Sequence, residues 1–464
     1  MFGEYTDVQW VALGFVYLGM ALIVAMVIRR FVPILARMYL PASVIAGFFL
    51  LLAGPQIVGA LTGGWSLIPE EALAVMARLP GIMINVVFAA IMIGKSLPRV
   101  REVWREAAPH VILGSAFSFG QFALGALAVV FILTPLFGMP DVAGSILEMS
   151  FAGGHGTIAG MGALLEEAGA GELIDVGLGL ATVSMITGII GGSLIVNYGI
   201  RSPRIPVARD TRPSGTGPSS LQEVRPNDGD SDRAGDVGLG SISRSFGAIM
   251  IAITFGIIIL NLLRWIANAL GSDVFDNFPL FPFTVIGGFF VQLILTMTRN
   301  EHLVERRTVN DIAGLCLDIL IAAAIGTLSL AALGANVPAL IILTAIALSW
   351  SVFGMLWLGP RIHPEHWFEH AIADYGQSQG NVATGFVLAD TVDPERKTST
   401  ARAYGYKQLI YEPFLGGGII TAFSVPIILQ IGSLWFGLAS LALTALFIVW
   451  GTARVRRGAG ARPS

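Results

Sequence analysis

Long apolar runs alternate with short polar breaks along almost the whole chain. They cover residues 8–28, 38–60, 79–97, 109–135 and 172–198, then 245–269, 279–297, 308–331, 334–359, 405–431 and 433–452. Most have the length a helix needs to cross a hydrocarbon layer about 30 Å thick. Two further segments, 141–168 and 365–392, are apolar but too rich in glycine and polar side chains for an ordinary span. Irregular backbone survives at membrane depth only inside protein or around a water-filled cavity, so these segments predict re-entrant hairpins. Residues 199–244 carry Pro, Gly, Ser and charges of both signs with few large apolar side chains, which predicts a disordered linker. The expected fold class is an all-α polytopic membrane protein with 10–11 transmembrane helices and two re-entrant hairpins. Its expected parts are a first repeat over 1–198, the linker 199–244, a second repeat over 245–431, and an extra span with a basic tail over 432–464.

Composition agrees. The chain is 54% hydrophobic and 13% charged, with mean hydropathy +0.74. Soluble domains carry about 25% charged residues. A net charge of -3 gives no reason to expect nucleic acid. The one cysteine, Cys316, sits in an apolar run and leaves no partner for a disulfide within the chain. The start, MFGEYTDVQW, is acidic, and the run after it is too long for a signal-peptide core, so it reads as a retained first helix.

Positive charge in short loops sets orientation. Arg29, Arg30 and Arg37 follow the first span, and Lys95, Arg99, Arg101 and Arg105 follow the third. Arg201 and Arg204 end the fifth, and Arg454, Arg456 and Arg457 end the last. Those loops belong inside, which puts the N-terminus outside and the C-terminus in the cytoplasm. The hairpin at 141–168 then enters from outside and that at 365–392 from inside.

The two halves resemble each other. PASVIAGFF (Pro41 to Phe49) and PFTVIGGFF (Pro282 to Phe290) share six of nine residues. FAAIMIGKSL (Phe88 to Leu97) pairs loosely with IAAAIGTLSL (Ile321 to Leu330), and HGTIA (His155 to Ala159) with QGNVA (Gln379 to Ala383). An odd number of spans in each half makes the second half inverted. Inverted repeats with broken segments are a signature of secondary transporters, and the breaks point to the binding site.

A hairpin tip offers free N–H and C=O groups at depth. Free N–H groups suit a carboxylate, and carbonyl, hydroxyl and amide oxygens suit Na⁺. Candidate substrate contacts are Gly153, Gly154, His155, Gly156 and Thr157 on the first hairpin, and Gln379, Gly380, Asn381 and Thr384 on the second. Candidate cation ligands are Ser150, Asn85, Asp318, Ser378 and Glu412. Asp318 lies well inside the eighth span and Asn85 near the corresponding place in the third; intramembrane acids are functional candidates by default. Close helix packing through small residues is the other use of such glycines. His155 suits a structural hydrogen bond as well as a substrate or proton contact, and no second His or Cys lies at metal-ligand spacing in sequence. Glu148 and Asp374 flank the hairpins, where either solvent or the interior can hold them.

GGHGT (Gly153 to Thr157) and LPASVIAG in the second span resemble the bacterial sodium/glutamate symporter family over about residues 8–431. The resemblance implies a Na⁺-coupled carrier of glutamate or a related carboxylate, needing no cofactor beyond that ion. It implies a homodimer in the bacterial cytoplasmic membrane, with a moving domain and a scaffold. In that plan the hairpins and the third, fifth, eighth and tenth spans move. The first, second, sixth and seventh form the scaffold. One departure stands out: the second hairpin reads GQSQGNVATG, with two glutamines and no proline, where the family has a Gly- and Thr-rich stretch with a proline. That departure leaves another organic anion, or H⁺ in place of Na⁺, as the alternative. The final span has no counterpart in the family's ten-span plan.

Two other classes fit the sequence less well. GQSQG (Gly376 to Gly380) fits G-x-S-x-G, but the hydrolase elbow needs a strand-to-helix turn, and nothing in the chain reads as a sheet. A channel or sensor does not need the repeat, and no signalling domain is evident in the sequence.

Overall fold

The computed structural model describes residues 5–33, 35, 41–95, 100–202, 240–272, 275–276, 278–380, 382–394 and 397–460. Most of the predicted linker and the candidate Asn381 lie outside them. Among the described residues the chain is helical without strands, and nine helices are long and apolar enough to cross a membrane.

The first half holds α1 (Asp7–Phe31), α2 (Ala42–Thr62), α3 (Glu70–Ala90), α4 (Val103–Phe137) and α8 (Glu172–Arg201). Between α4 and α8 lie three short helices, α5 (Ile146–Phe151), α6 (Gly154–Gly160) and α7 (Gly162–Glu167). The second half holds α9 (Ser241–Ala269), α10 (Phe281–Met297), α11 (Arg306–Gly326) and α12 (Val337–Ile362). The pair α13 (Trp367–Ser378) and α14 (Val382–Val392) follows, then α15 (Thr400–Tyr411) and α16 (Ile419–Gly460).

Among the described residues the predicted apolar runs are largely helical, and two of the differences are instructive. The run at 79–97 is helical from Glu70 but stops at Ala90. Pro69 precedes the start, and Glu70 and Glu71 place negative charge at the positive end of the helix. Gly94, at φ 71°, lies beyond its end. The run at 405–431 is broken at Glu412–Gly418, where Pro413 cannot donate a hydrogen bond and Gly416 (φ 66°) and Gly417 (φ 104°) take left-handed backbone. The eleventh run continues α16 past a kink at Gly432, whose φ of 79° breaks the helical path.

The two matching segments of sequence each make one close helix contact. Gly47 in α2 packs against α11, where an added Cβ would lie 2.5 Å from Ile325 Cβ. Gly288, at the same place in the matching segment of α10, packs against the backbone of α3 at Ala89. Each of these glycines therefore faces a helix of the opposite half. The α3 and α11 ends also both fall inside the FAAIMIGKSL and IAAAIGTLSL segments.

The largest apolar core joins Phe122 of α4, Phe151 of α5, Ile158 of α6, Leu173 of α8, Leu343 of α12 and Val425 of α16. A separate core joins α9, α10, α3 and α11 through Ile249, Val291, Ala89 and Val309. Beyond Gly432, α16 lies along α4: Phe122 meets Phe436 edge-on at 5.3 Å, and Phe119 stacks on Phe447 at 5.7 Å.

Candidate functional site

The breaks between short helices converge. Gly154 has φ 75°, and a Cβ there would lie 3.2 Å from the Gly380 carbonyl, so the two segments touch at their tips. The α15–α16 break closes on the same place. Gly417 passes so close to the Thr157 hydroxyl that no side chain fits, and a Cβ on Gly416 would lie 3.4 Å from the Ala152 carbonyl.

Each candidate can now be placed. His155 is buried, and its Nε2 lies 2.9 Å from Thr182 Oγ1. Thr182 donates its own hydrogen to the Leu178 carbonyl, so His155 Nε2 carries the hydrogen and Nδ1 keeps its lone pair. Thr157 donates to the Gly153 carbonyl at 2.9 Å, which fixes the bend. Gln379 is fully buried between α8 and α12: its Oε1 faces Thr187 Oγ1 at 3.4 Å and its amide donates to the Ala347 carbonyl at 3.4 Å. Gly188 permits this, since a Cβ there would be 2.7 Å from the Gln379 carbonyl. Gly380 and Thr384 are buried beside it, while Gly153 and Gly156 are half-buried.

The cation candidates scatter. Ser150 is fully buried with no hydrogen-bond partner for its hydroxyl among the described residues. Ser378 donates to the Tyr375 carbonyl at 2.8 Å, which commits its proton to backbone. Asn85 turns its amide back to the Gly81 carbonyl at 2.8 Å. Asp318 is exposed on α11. Glu412 is half-buried, and the positive charges of Lys95 and Arg306 act on it. The structure thus gathers Ser150 and Ser378 with the tips, and leaves Asp318 on the outer face of its helix.

Two acids that sequence left between solvent and interior are buried. Glu148, on α5, is fully buried. Its Oε1 accepts from the Gly416 N–H at 3.1 Å and the Thr421 hydroxyl at 3.2 Å; its Oε2 has no hydrogen-bond partner among the described residues. Asp374, on α13, lies in a polar network. Lys407 of α15 donates to Asp374 Oδ1 at 2.9 Å and to Gln377 Oε1 at 2.7 Å. His110 Nδ1 donates to Asp374 Oδ2 at 2.8 Å, and His363 Nε2 is 3.3 Å from the same oxygen.

Sequence reasoning missed this network, because its members are spread from residue 110 to residue 407. The only signal was polar residues interrupting apolar runs. His110, His363 and His370 each offer a ring nitrogen within 4.8 Å of the others, a spacing that suits a metal ion. Charge argues against one. Asp374 and Lys407 already neutralise each other, so that pair would not offset the two charges of a divalent ion.

The family model of the sodium/glutamate symporters matches residues 11–358, well over half of the 464-residue chain. The chain belongs to the sodium/glutamate symporter family. It is a transporter and not an enzyme. The family brings with it a substrate and Na⁺ in a membrane. The match ends at Leu358, short of the 8–431 over which the resemblance was read. The α13–α14 pair, where the sequence departs from the family pattern, lies beyond it. No curated protein matches the chain.

Proposed function

We propose that this chain is a Na⁺-coupled symporter of glutamate or a related small carboxylate, working as an elevator. In this reading α5–α7 and α13–α14 are re-entrant hairpins of an inverted repeat, entering from opposite faces. The reciprocal packing of Gly47 on α11 and Gly288 on α3 supports the repeat. The loops rich in Arg support an N-terminus outside and a C-terminus inside a bacterial cytoplasmic membrane. A homodimer built on α1, α2, α9 and α10 follows from the family plan. The exposed apolar side chains of α9, among them Ile251, Ile258 and Leu262, suit either lipid or a partner copy.

The observation that carries the reading is the meeting of three backbone breaks around Gly154, Gly380 and Gly417, with the buried carboxylate of Glu148 behind them. A buried carboxylate with one unpartnered oxygen is costly unless a cation or proton joins it. Glu148 Oε2 is the position we assign to the coupling cation. The substrate carboxylate sits at the tips, near the free Nδ1 of His155. Cation binding at Glu148 stabilises the Gly416–Gly417 turn, which in turn shapes the tip around Thr157. Each ligand then binds better when the other is present.

Labelled L-glutamate uptake into proteoliposomes, with and without an inward Na⁺ gradient, tests this directly. Uphill, Na⁺-dependent uptake is expected. Folded protein that accumulates neither glutamate nor other small carboxylates under a Na⁺ gradient would refute it.

A further inference from the structure

The network around Asp374 has a direction. A carboxylate only accepts hydrogen bonds, so His110 Nδ1 and His363 Nε2 both carry their hydrogens. Lys407 supplies a third donor, on the other carboxylate oxygen. A neutral His110 then presents a lone pair at Nε2. That atom lies 2.8 Å from His370 Nδ1, which must therefore be the donor. The result is an ordered chain: His370 Nδ1–H to His110 Nε2, and His110 Nδ1–H to Asp374.

The ends of the chain differ. Asp374 and Lys407 are each 1% exposed. His370 is 8% exposed and lies one helical turn from His366, which is exposed at the start of α13. The chain thus runs from His370, buried one turn from the exposed foot of α13, to a charge pair in the core.

We propose that His370, His110 and Asp374 form a proton-binding site, reached from the face where α13 begins and separate from the cation position at Glu148. A proton arriving at His370 Nε2 lets the Nδ1 proton of His370 pass to His110 Nε2. His110 becomes an imidazolium, His370 is left as the other neutral tautomer, and one proton has been added in total. The imidazolium is held by Asp374, 2.8 Å away. Lys407 keeps Asp374 ionised, so Asp374 stays an acceptor rather than taking the proton itself.

The surroundings favour His110 as the place where the charge rests. His363, from the end of α12, donates to the same carboxylate. On α15, Tyr404 faces the His110 ring at 5.9 Å, and the Tyr411 ring lies 4.3 Å from the Lys407 ammonium. Glu106, one turn before His110 on α4, is paired with Arg402 at 2.9 Å. Glu369 is buried on α13, and the charged residues of α8 and α14 (Glu172, Asp175, Arg201 and Asp390) lie near those helices' ends. Protonation therefore adds one positive charge beside the Asp374–Lys407 pair, less than a divalent ion would impose. In a carrier of the kind proposed above, this proton would be a second coupling ion on the body that holds the α13–α14 tip.

The test needs no substrate. Full-length protein in proteoliposomes, on a solid-supported membrane, is given a pH jump without Na⁺ or carboxylate. A transient charge movement is expected, reversing in sign with the jump, and retained in His302→Gln on an exposed loop. It is expected to fall to the level of protein-free liposomes in Asp374→Asn/Lys407→Met, which removes both charges together and leaves neither buried alone. His370→Gln, at the edge of the network, should abolish it too and serves if the double variant does not fold. Absence of the transient in the wild type overturns the proposal, as does an unchanged transient in either variant. Failure of Na⁺-driven uptake is a separate result, since the pH jump involves neither Na⁺ nor substrate.

Discussion

The Lys407 ammonium lies 2.9 Å from the Asp374 carboxylate, with both side chains shut away from solvent. Removing one member of such a pair leaves an uncompensated charge in the core. Lys407→Met alone should cost about 3–5 kcal/mol of stability, and Asp374→Asn/Lys407→Met much less than the sum of its parts. Thermal unfolding of the two single variants and the double variant, purified in the same detergent, checks this. Additive losses would show that the two charges do not support each other.

Glu148 is expected to be where Na⁺ stabilises the protein. At a hundredfold excess over its Kd, a ligand that binds only the folded state adds about 2.7 kcal/mol. Glu148→Gln keeps the shape and the bonds to Gly416 and Thr421 but loses the charge. Its melting temperature should no longer rise with Na⁺ at constant ionic strength, whereas Asp318→Asn, on the exposed face of α11, should respond as the wild type does. A Na⁺ response intact in Glu148→Gln would move the cation elsewhere.

The α13–α14 pair depends on backbone contact. A Cβ on Gly376 would lie 2.8 Å from the Gly385 backbone, where nothing can move aside. Gly376→Ala should destabilise by about 1–3 kcal/mol and depress uptake by displacing the Gly380 tip. Gly314→Ala, on an open helix face, provides the matched control. Equal melting temperatures for the two variants would contradict the close approach.

His155 is aimed by Thr182. His155→Ala should raise KM for the carboxylate more than it lowers kcat, the pattern of lost ground-state binding. Thr182→Val removes only the bond that orients the ring, worth about 1 kcal/mol, and should shift KM the same way by a smaller step. Initial uptake rates across a substrate series decide it, and an unaltered KM in His155→Ala would make the ring structural.

Much of the architecture was legible in the sequence because lipid enforces a simple code. Runs of apolar residues became helices almost where expected, and GGHGT and GQSQG marked real breaks. The code does not reach a span interrupted from within: YEPFLGGG is embedded in apolar sequence, yet Pro413 and two left-handed glycines open the backbone there. Nor does it say which way a residue faces. Asp318 lies mid-span and Glu148 beside a hairpin, yet the first is exposed on its helix and the second is sealed beneath the Gly416 turn. His110, His370, Asp374 and Lys407 sit on three helices, and only the fold makes them neighbours.

The long helix beyond Gly432 is fastened to α4 by aromatic stacking at Phe119 and Phe447 and by edge contact at Phe122 and Phe436. Its other side carries Trp435, Leu446 and Val449, all exposed. Any displacement of α4 against α9 and α10 would therefore tow this oily face of α16 through the lipid like a keel. Under the elevator motion proposed above, turnover would then become a property of the membrane as well as of the protein. A keel of fixed apolar length makes the carrier sensitive to acyl-chain thickness, with mismatch charged at fractions of a kcal/mol per Å.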